Sequence, residues 1–265
     1  MSCHLQAAKE YAELGDLDKV KEVLSKKEDL FPNSSINRDA ANSVTNCFMY
    51  EQRRVESILK DLQKNGERDE ISLRKYADEV FRIAENLDVW ISQLEREKNH
   101  TEVYHYNQAI NAWKSSFDSF HLCSEHIQVP RGMPQRATQY LEKMERLCVD
   151  DISYQPSVDA YNDVLHMWMN SQEHNQDMKA EGIFQRMYKI NDGNESTLPT
   201  PETLRIMIKS WCKSAINGKV IKGTSVFRAE RYLTEMIYLH EEGKDDFEPT
   251  LEDFLIILEA WGMSR

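Results

Sequence analysis

The chain has 265 residues, 40% of them hydrophobic, enough for a sizeable core and too many for a chain disordered throughout. Nine glycines and seven prolines are about half the usual share, too few for the tight turns of a β-sandwich or barrel, so the reading is all-α. A net charge of -12 argues against broad, non-specific adhesion to nucleic acid or anionic lipid, and a mean hydropathy of -0.66 without any long apolar run argues against a membrane span. In chain order, residues 1–30 read as a helical hairpin turned at Gly15-Asp16, 38–64 as one or two helices, and 70–98 as one long charged helix. Val20, Val23 and Leu24, then Val55, Ile58, Leu59 and Leu62, then Ala77, Val80, Phe81 and Ala84 share a helical spacing. Residues 1–102 are therefore read as degenerate helical repeats or a helical N-terminal region, distinct from 103–265, where repetition is explicit.

From residue 103 onward one helix is written four times. Its apolar quartets are Tyr106, Ala109, Ile110, Trp113; Tyr161, Val164, Leu165, Trp168; Leu204, Met207, Ile208, Trp211; and Phe254, Ile257, Leu258, Trp261. Between them lies a second amphipathic pattern: Ala137, Tyr140, Leu141, Met144; Ala180, Ile183, Phe184, Met187; Ala229, Tyr232, Leu233, Met236. From the Ala of each second helix to the next Trp is 31, 31 and 32 residues, whereas Trp to the following Ala is 24, 12 and 18. A stack of hairpins must keep its pair-to-pair connection constant to hold faces in register, while the turn inside a pair can lengthen into solvent. The spacing predicts an α-solenoid of stacked antiparallel helical hairpins. The chain stops at Trp261-Gly-Met-Ser-Arg, inside a first helix, which leaves Phe254, Ile257, Leu258 and Trp261 a poorly covered face. A fragment, a gene-model error and a docking surface for another protein are the readings open for that face.

Tyr106-Asn107 and Tyr161-Asn162 opening first helices, the Ala-x-x-apolar-apolar-x-x-Met second helix, and Pro156-Ser157, Pro199-Thr200 and Pro249-Thr250 before the next unit together resemble the pentatricopeptide repeat (PPR) family. The resemblance covers about residues 103–265. Units of 55, 43 and 50 residues between tryptophans exceed the family's period of about 35 and mark a divergent copy with inserts. It implies a right-handed superhelix, single-stranded RNA as ligand, no catalysis, no cofactor, and a mitochondrial or plastid factor for RNA processing, stability or translation. The opening residues are too acidic and arginine-poor for a transit peptide, so either import is not needed, and the chain is cytoplasmic, or its true start lies upstream.

Asn107, Asn111 and Ser115, then Asn162, His166 and Asn170, then Arg205, Lys209 and Lys213 lie one residue on from the apolar quartets and then every fourth, a stripe of amides, hydroxyl, imidazole and cations without a carboxylate. Leu255 and Glu259 break it in the fourth helix. An ordinary solvated face is the alternative reading. In the family, the residue after the repeat's Tyr and the small polar residue at the repeat's end read one base by its Watson-Crick edge. The resemblance therefore pairs Asn107 with Ser157, Asn162 with Thr200 and Arg205 with Thr250, the first two leaning to pyrimidines. Arg205, Lys209 and Lys213 are expected at phosphate. Asp159, Glu202 and Glu252 stand where the family places a small apolar wedge, leaving Tyr104 as the one aromatic placed to stack, and favour the rival reading of a protein-binding scaffold.

Other chemistry is weaker. His121, Cys123 and His126 lie close together in an inserted turn but lack a fourth metal ligand. The stretch 218–225 has glycines and lysines without the order a phosphate-cradling loop needs. Five scattered cysteines read as reduced thiols. The Asn-x-Ser/Thr patterns at Asn33, Asn99 and Asn194 read as chance.

Overall fold

A computed structural model of the chain describes residues 38–64, 70–96, 101–123, 129–173, 175–190, 197–216 and 224–263, with scattered positions between 7 and 23. The described residues are helical with no strand, and within each of two compact units the helices pack on their neighbours in sequence order, as in a helical-repeat solenoid. The units are Met1–Gln155 and Pro156–Arg265.

Unit 1 contains α1 (Arg38–Lys64), α2 (Glu70–Arg96), α3 (Val103–Leu122) and α4 (Met133–Cys148). Residues 38–64, left open between one helix and two, form one unbroken helix, and the long charged helix runs over 70–96. Helix α3 packs on both α1 and α2. The Trp90 indole donates to Thr45 Oγ1 (3.1 Å) and Gln52 Nε2 donates to the Ala112 carbonyl (2.8 Å), fixing α1 against α2 and α3. α4 starts at Gly132, whose φ of +90° is the left-handed region that suits glycine, followed by Pro134 in the first turn. The expected hairpin over 1–30 falls mainly outside the described residues, although Ala8, Ala12 and Val20 are buried.

Unit 2 contains α5 (Val158–Asn170), α6 (Gln176–Ile190), α7 (Pro201–Ile216), α8 (Thr224–Glu241) and α9 (Leu251–Met263). The first helices α5, α7 and α9 pack side by side, α6 packs on α5 and α7, and α8 on α7 and α9. The apolar quartets of α3, α5 and α7 and those of α4, α6 and α8 are all buried. Burying such a side chain contributes about 1.5–3 kcal/mol, which outweighs the middling helix propensity of their Trp, Tyr, Ile and Val residues. In α9 the same pattern buries Ile257 but leaves Phe254 and Leu258 exposed.

Pro-Ser and Pro-Thr mark helix starts for a local reason. The Ser157 hydroxyl accepts from Ala160 N–H (3.2 Å) and that of Thr200 from Thr203 N–H (3.4 Å). Thr250 N–H donates to Asp253 Oδ2 (2.8 Å), the return half of a capping box at the start of α9.

Two buried carboxylates fasten three helices each. In unit 1, Asp88 of α2 accepts from the Trp113 indole of α3 (2.9 Å), and from the Tyr140 hydroxyl (2.7 Å) and Arg136 guanidinium (3.3 Å) of α4. In unit 2, Glu181 of α6 accepts from the Trp211 indole of α7 (3.1 Å), and from the Tyr232 hydroxyl (2.6 Å) and Arg231 guanidinium (2.9 Å) of α8. The Trp261 indole of α9 likewise donates to Glu230 of α8 (2.7 Å).

Candidate functional site

In unit 2 the predicted stripe forms the seam between successive first helices. Asn162 of α5 reaches the start of α7: its Oδ1 accepts from the Thr203 hydroxyl (2.7 Å) and its Nδ2 lies 3.5 Å from Thr200 Oγ1. The two residues paired by the resemblance are therefore neighbours in space. One level along, Arg205 Nε of α7 and the Thr250 hydroxyl both donate to Asp253 Oδ2 of α9 (3.2 and 2.8 Å), and the Arg205 guanidinium also reaches the Glu248 carbonyl (3.3 Å). Lys213 Nζ contacts Asn170 Oδ1 (3.4 Å), and the Asn170 amide meets His166 Nε2 (3.2 Å). Lys209 pairs with Glu252 at 3.0 Å.

The cations are not equivalent. Asp253 is only 2% exposed, so removing its Arg205 partner would leave a buried charge, a cost of about 3–5 kcal/mol. Glu252 is 72% exposed, and such an ion pair contributes about 0–1 kcal/mol. An incoming phosphate can replace Glu252 at Lys209 at little cost, whereas Arg205 is committed to holding α7 against α9. Of the three cations expected at phosphate, Arg205 is engaged with the buried Asp253, Lys209 with the exposed Glu252 and Lys213 with Asn170. Asp159 and Glu202, at the wedge positions, are exposed.

Asn107 and Asn111 belong to unit 1, on α3, and are half-buried; the Asn107 carbonyl oxygen is buried with no hydrogen-bond partner among the described residues. Ser157, its partner by resemblance, belongs to unit 2, where it is exposed and caps α5. The Tyr104 hydroxyl donates to Asn46 of α1, and burial raises its phenol above the ordinary value.

Of the candidate metal cluster, His121 Nδ1 lies 2.9 Å from the Phe117 carbonyl, the buried Cys123 thiol bonds the Ser119 carbonyl (3.3 Å), and His126 lies outside the described residues. Residues 218–223 of the glycine-lysine stretch also lie outside them. Burial pushes the Cys212 thiol up to about 12, as befits a packed core thiol. No described helix is long and apolar enough to cross a membrane. No family model matches the chain, and no curated protein matches it.

The stripe reading missed Thr203 and Asp253. Their signal was present as Thr200-x-x-Thr203 and Thr250-x-x-Asp253, the capping spacing in which the third residue reaches back to the helix start.

Proposed function

We propose that the protein is a PPR-like, non-catalytic binder of single-stranded RNA, with pyrimidine-leaning contacts along the first helices of unit 2, acting in RNA processing, stability or translation in a mitochondrion or plastid. The observation that carries this reading is the juxtaposition of Asn162 with Thr200: an amide and a hydroxyl from successive units meet at one level, close enough together for one base to reach both. Lys209 and Lys213 stand along the same helix as phosphate anchors. Their spacing of four residues puts both ammonium groups on one face.

A salt titration with labelled single-stranded RNA tests it. Pyrimidine-rich RNA binds, with log affinity falling linearly in log salt, and Lys209→Gln with Lys213→Gln flattens that slope by about 1.4, roughly 0.7 per lost phosphate contact. Asn162→Ala reduces discrimination among bases and leaves the slope unchanged. Arg205 is unsuited to this experiment because its loss would disturb the fold.

A second reading, a helical scaffold for a protein partner, is favoured by the engagement of Arg205 and Lys209 with Asp253 and Glu252 and by the exposed Asp159 and Glu202. Absent or salt-insensitive RNA binding selects it.

A further inference from the structure

Helix α9 exposes apolar side chains at positions that its counterpart α7 buries. Leu204, Ile208 and Trp211 of α7 are buried, with α8 packed on that helix. With Trp261 aligned on Trp211, Phe254 and Leu258 occupy the places of Leu204 and Ile208, yet they are 41% and 65% exposed. Leu251 and Leu255, at 74% and 53%, continue the strip. At about 100° per residue, Leu251, Leu255 and Leu258 lie opposite the buried Asp253, Ile257 and Ala260, so the apolar strip faces directly away from the unit's interior.

Charge selects the occupant. Between Glu241 and Met263 the sequence carries eight carboxylates and one cation, Lys244. Arg205 and Lys209 meet two of these acids. Glu259 flanks the leucines on the same side of the helix as Glu252, and both are exposed. A second copy would bring the same acids against themselves, and RNA would be repelled.

We infer that α9 docks a basic amphipathic helix of another protein along this exposed strip, its apolar residues spaced i, i+3, i+4, i+7 over Phe254, Leu255 and Leu258 and its Lys or Arg residues facing Glu252 and Glu259. The inference does not rest on RNA binding, although Glu252 is also the partner of Lys209.

The probe is a fluorescein-labelled Leu/Lys peptide of about 18 residues with that period, compared by anisotropy with a scrambled peptide of the same composition and a Leu/Glu counterpart, against the full chain at physiological salt. The periodic Leu/Lys peptide binds about tenfold or more tighter than either control. Leu255→Asp with Leu258→Asp removes that advantage, and Glu259→Lys shifts preference toward the Leu/Glu peptide. Leu251→Ser, in the exposed first turn, provides a milder variant should the double substitution disturb folding. Equal binding of the scrambled peptide, or undiminished binding by these variants, overturns the inference. So does a wild-type dimer in sedimentation that Leu255→Asp dissolves, since the occupant would then be a second copy.

Discussion

Asp88 in unit 1 and Glu181 in unit 2 receive the same three kinds of donor, an indole, a phenol and a guanidinium, yet their carboxyls move in opposite directions. At Asp88 burial dominates and raises the carboxyl above its ordinary value, with the Tyr140 and Trp113 bonds and the Arg136 charge offsetting only part of it. At Glu181 burial also pushes upward, but the bonds from Tyr232, Trp211 and Arg231 prevail and hold the carboxyl below its ordinary value. The guanidinium is closer at Glu181, 2.9 Å against 3.3 Å. Similar donor sets can therefore make one carboxylate a stabilising anion and the other a group that folding prefers protonated.

That contrast is open to direct attack. Glu181→Ala has the largest expected effect: it leaves the buried Trp211 and Tyr232 donors unsatisfied, at about 1–3 kcal/mol each, and urea unfolding should show unit 2 destabilised by about 3 kcal/mol. Next, Glu181→Gln loses the charge-assisted part of the network and costs about 2 kcal/mol, whereas Asp88→Asn costs under about 1 kcal/mol, because the folded state already disfavours that charge. Equal costs in the same urea series would show that the two carboxylates do not differ.

Acidification sharpens the comparison. Glu181's stabilisation is present above its ordinary value of 4.5 and is lost as pH falls through its lowered folded value. Asp88 behaves oppositely: the cost of its charge is complete at neutral pH and is relieved as pH falls through the raised value toward 3.8. Hydrogen exchange between pH 6 and pH 3, read peptide by peptide, should show the α6–α8 contacts weakening relative to those of α2–α4. The smallest effect belongs to Arg136→Gln and Arg231→Gln. Both guanidiniums are more than half exposed, so each change should cost under about 1 kcal/mol, seen as a shift of a few degrees in thermal unfolding.

The hairpin architecture was legible because its signal is periodic. Trp113, Trp168 and Trp211, with Ala137, Ala180 and Ala229, mark positions where packing admits few side chains, and all six are buried as their spacing predicts. The polar stripe was legible as a face but not as a set of contacts. Nothing in the spacing of Arg205 and Lys209 distinguishes a cation locked to a buried Asp253 from one resting on an exposed Glu252, because burial is a property of the neighbouring helix. The carboxylates escaped notice for a similar reason. Asp88 and Glu181 resemble ordinary polar positions until the indoles above them are placed. One trace was available: Ala180-Glu181 and Ala229-Glu230 each precede the tryptophan that their acid accepts from, by 30 and 31 residues.

The Glu181 bridge also bears on how the chain comes apart. Because one acid on α6 serves α7 and α8 together, hairpin α7–α8 cannot peel away without stranding an anion in the apolar flank of its neighbour. Fraying at this seam is penalised twice, by lost burial and by bared charge. Unit 2 should therefore melt in longer cooperative segments than an array joined by hydrophobic contact alone.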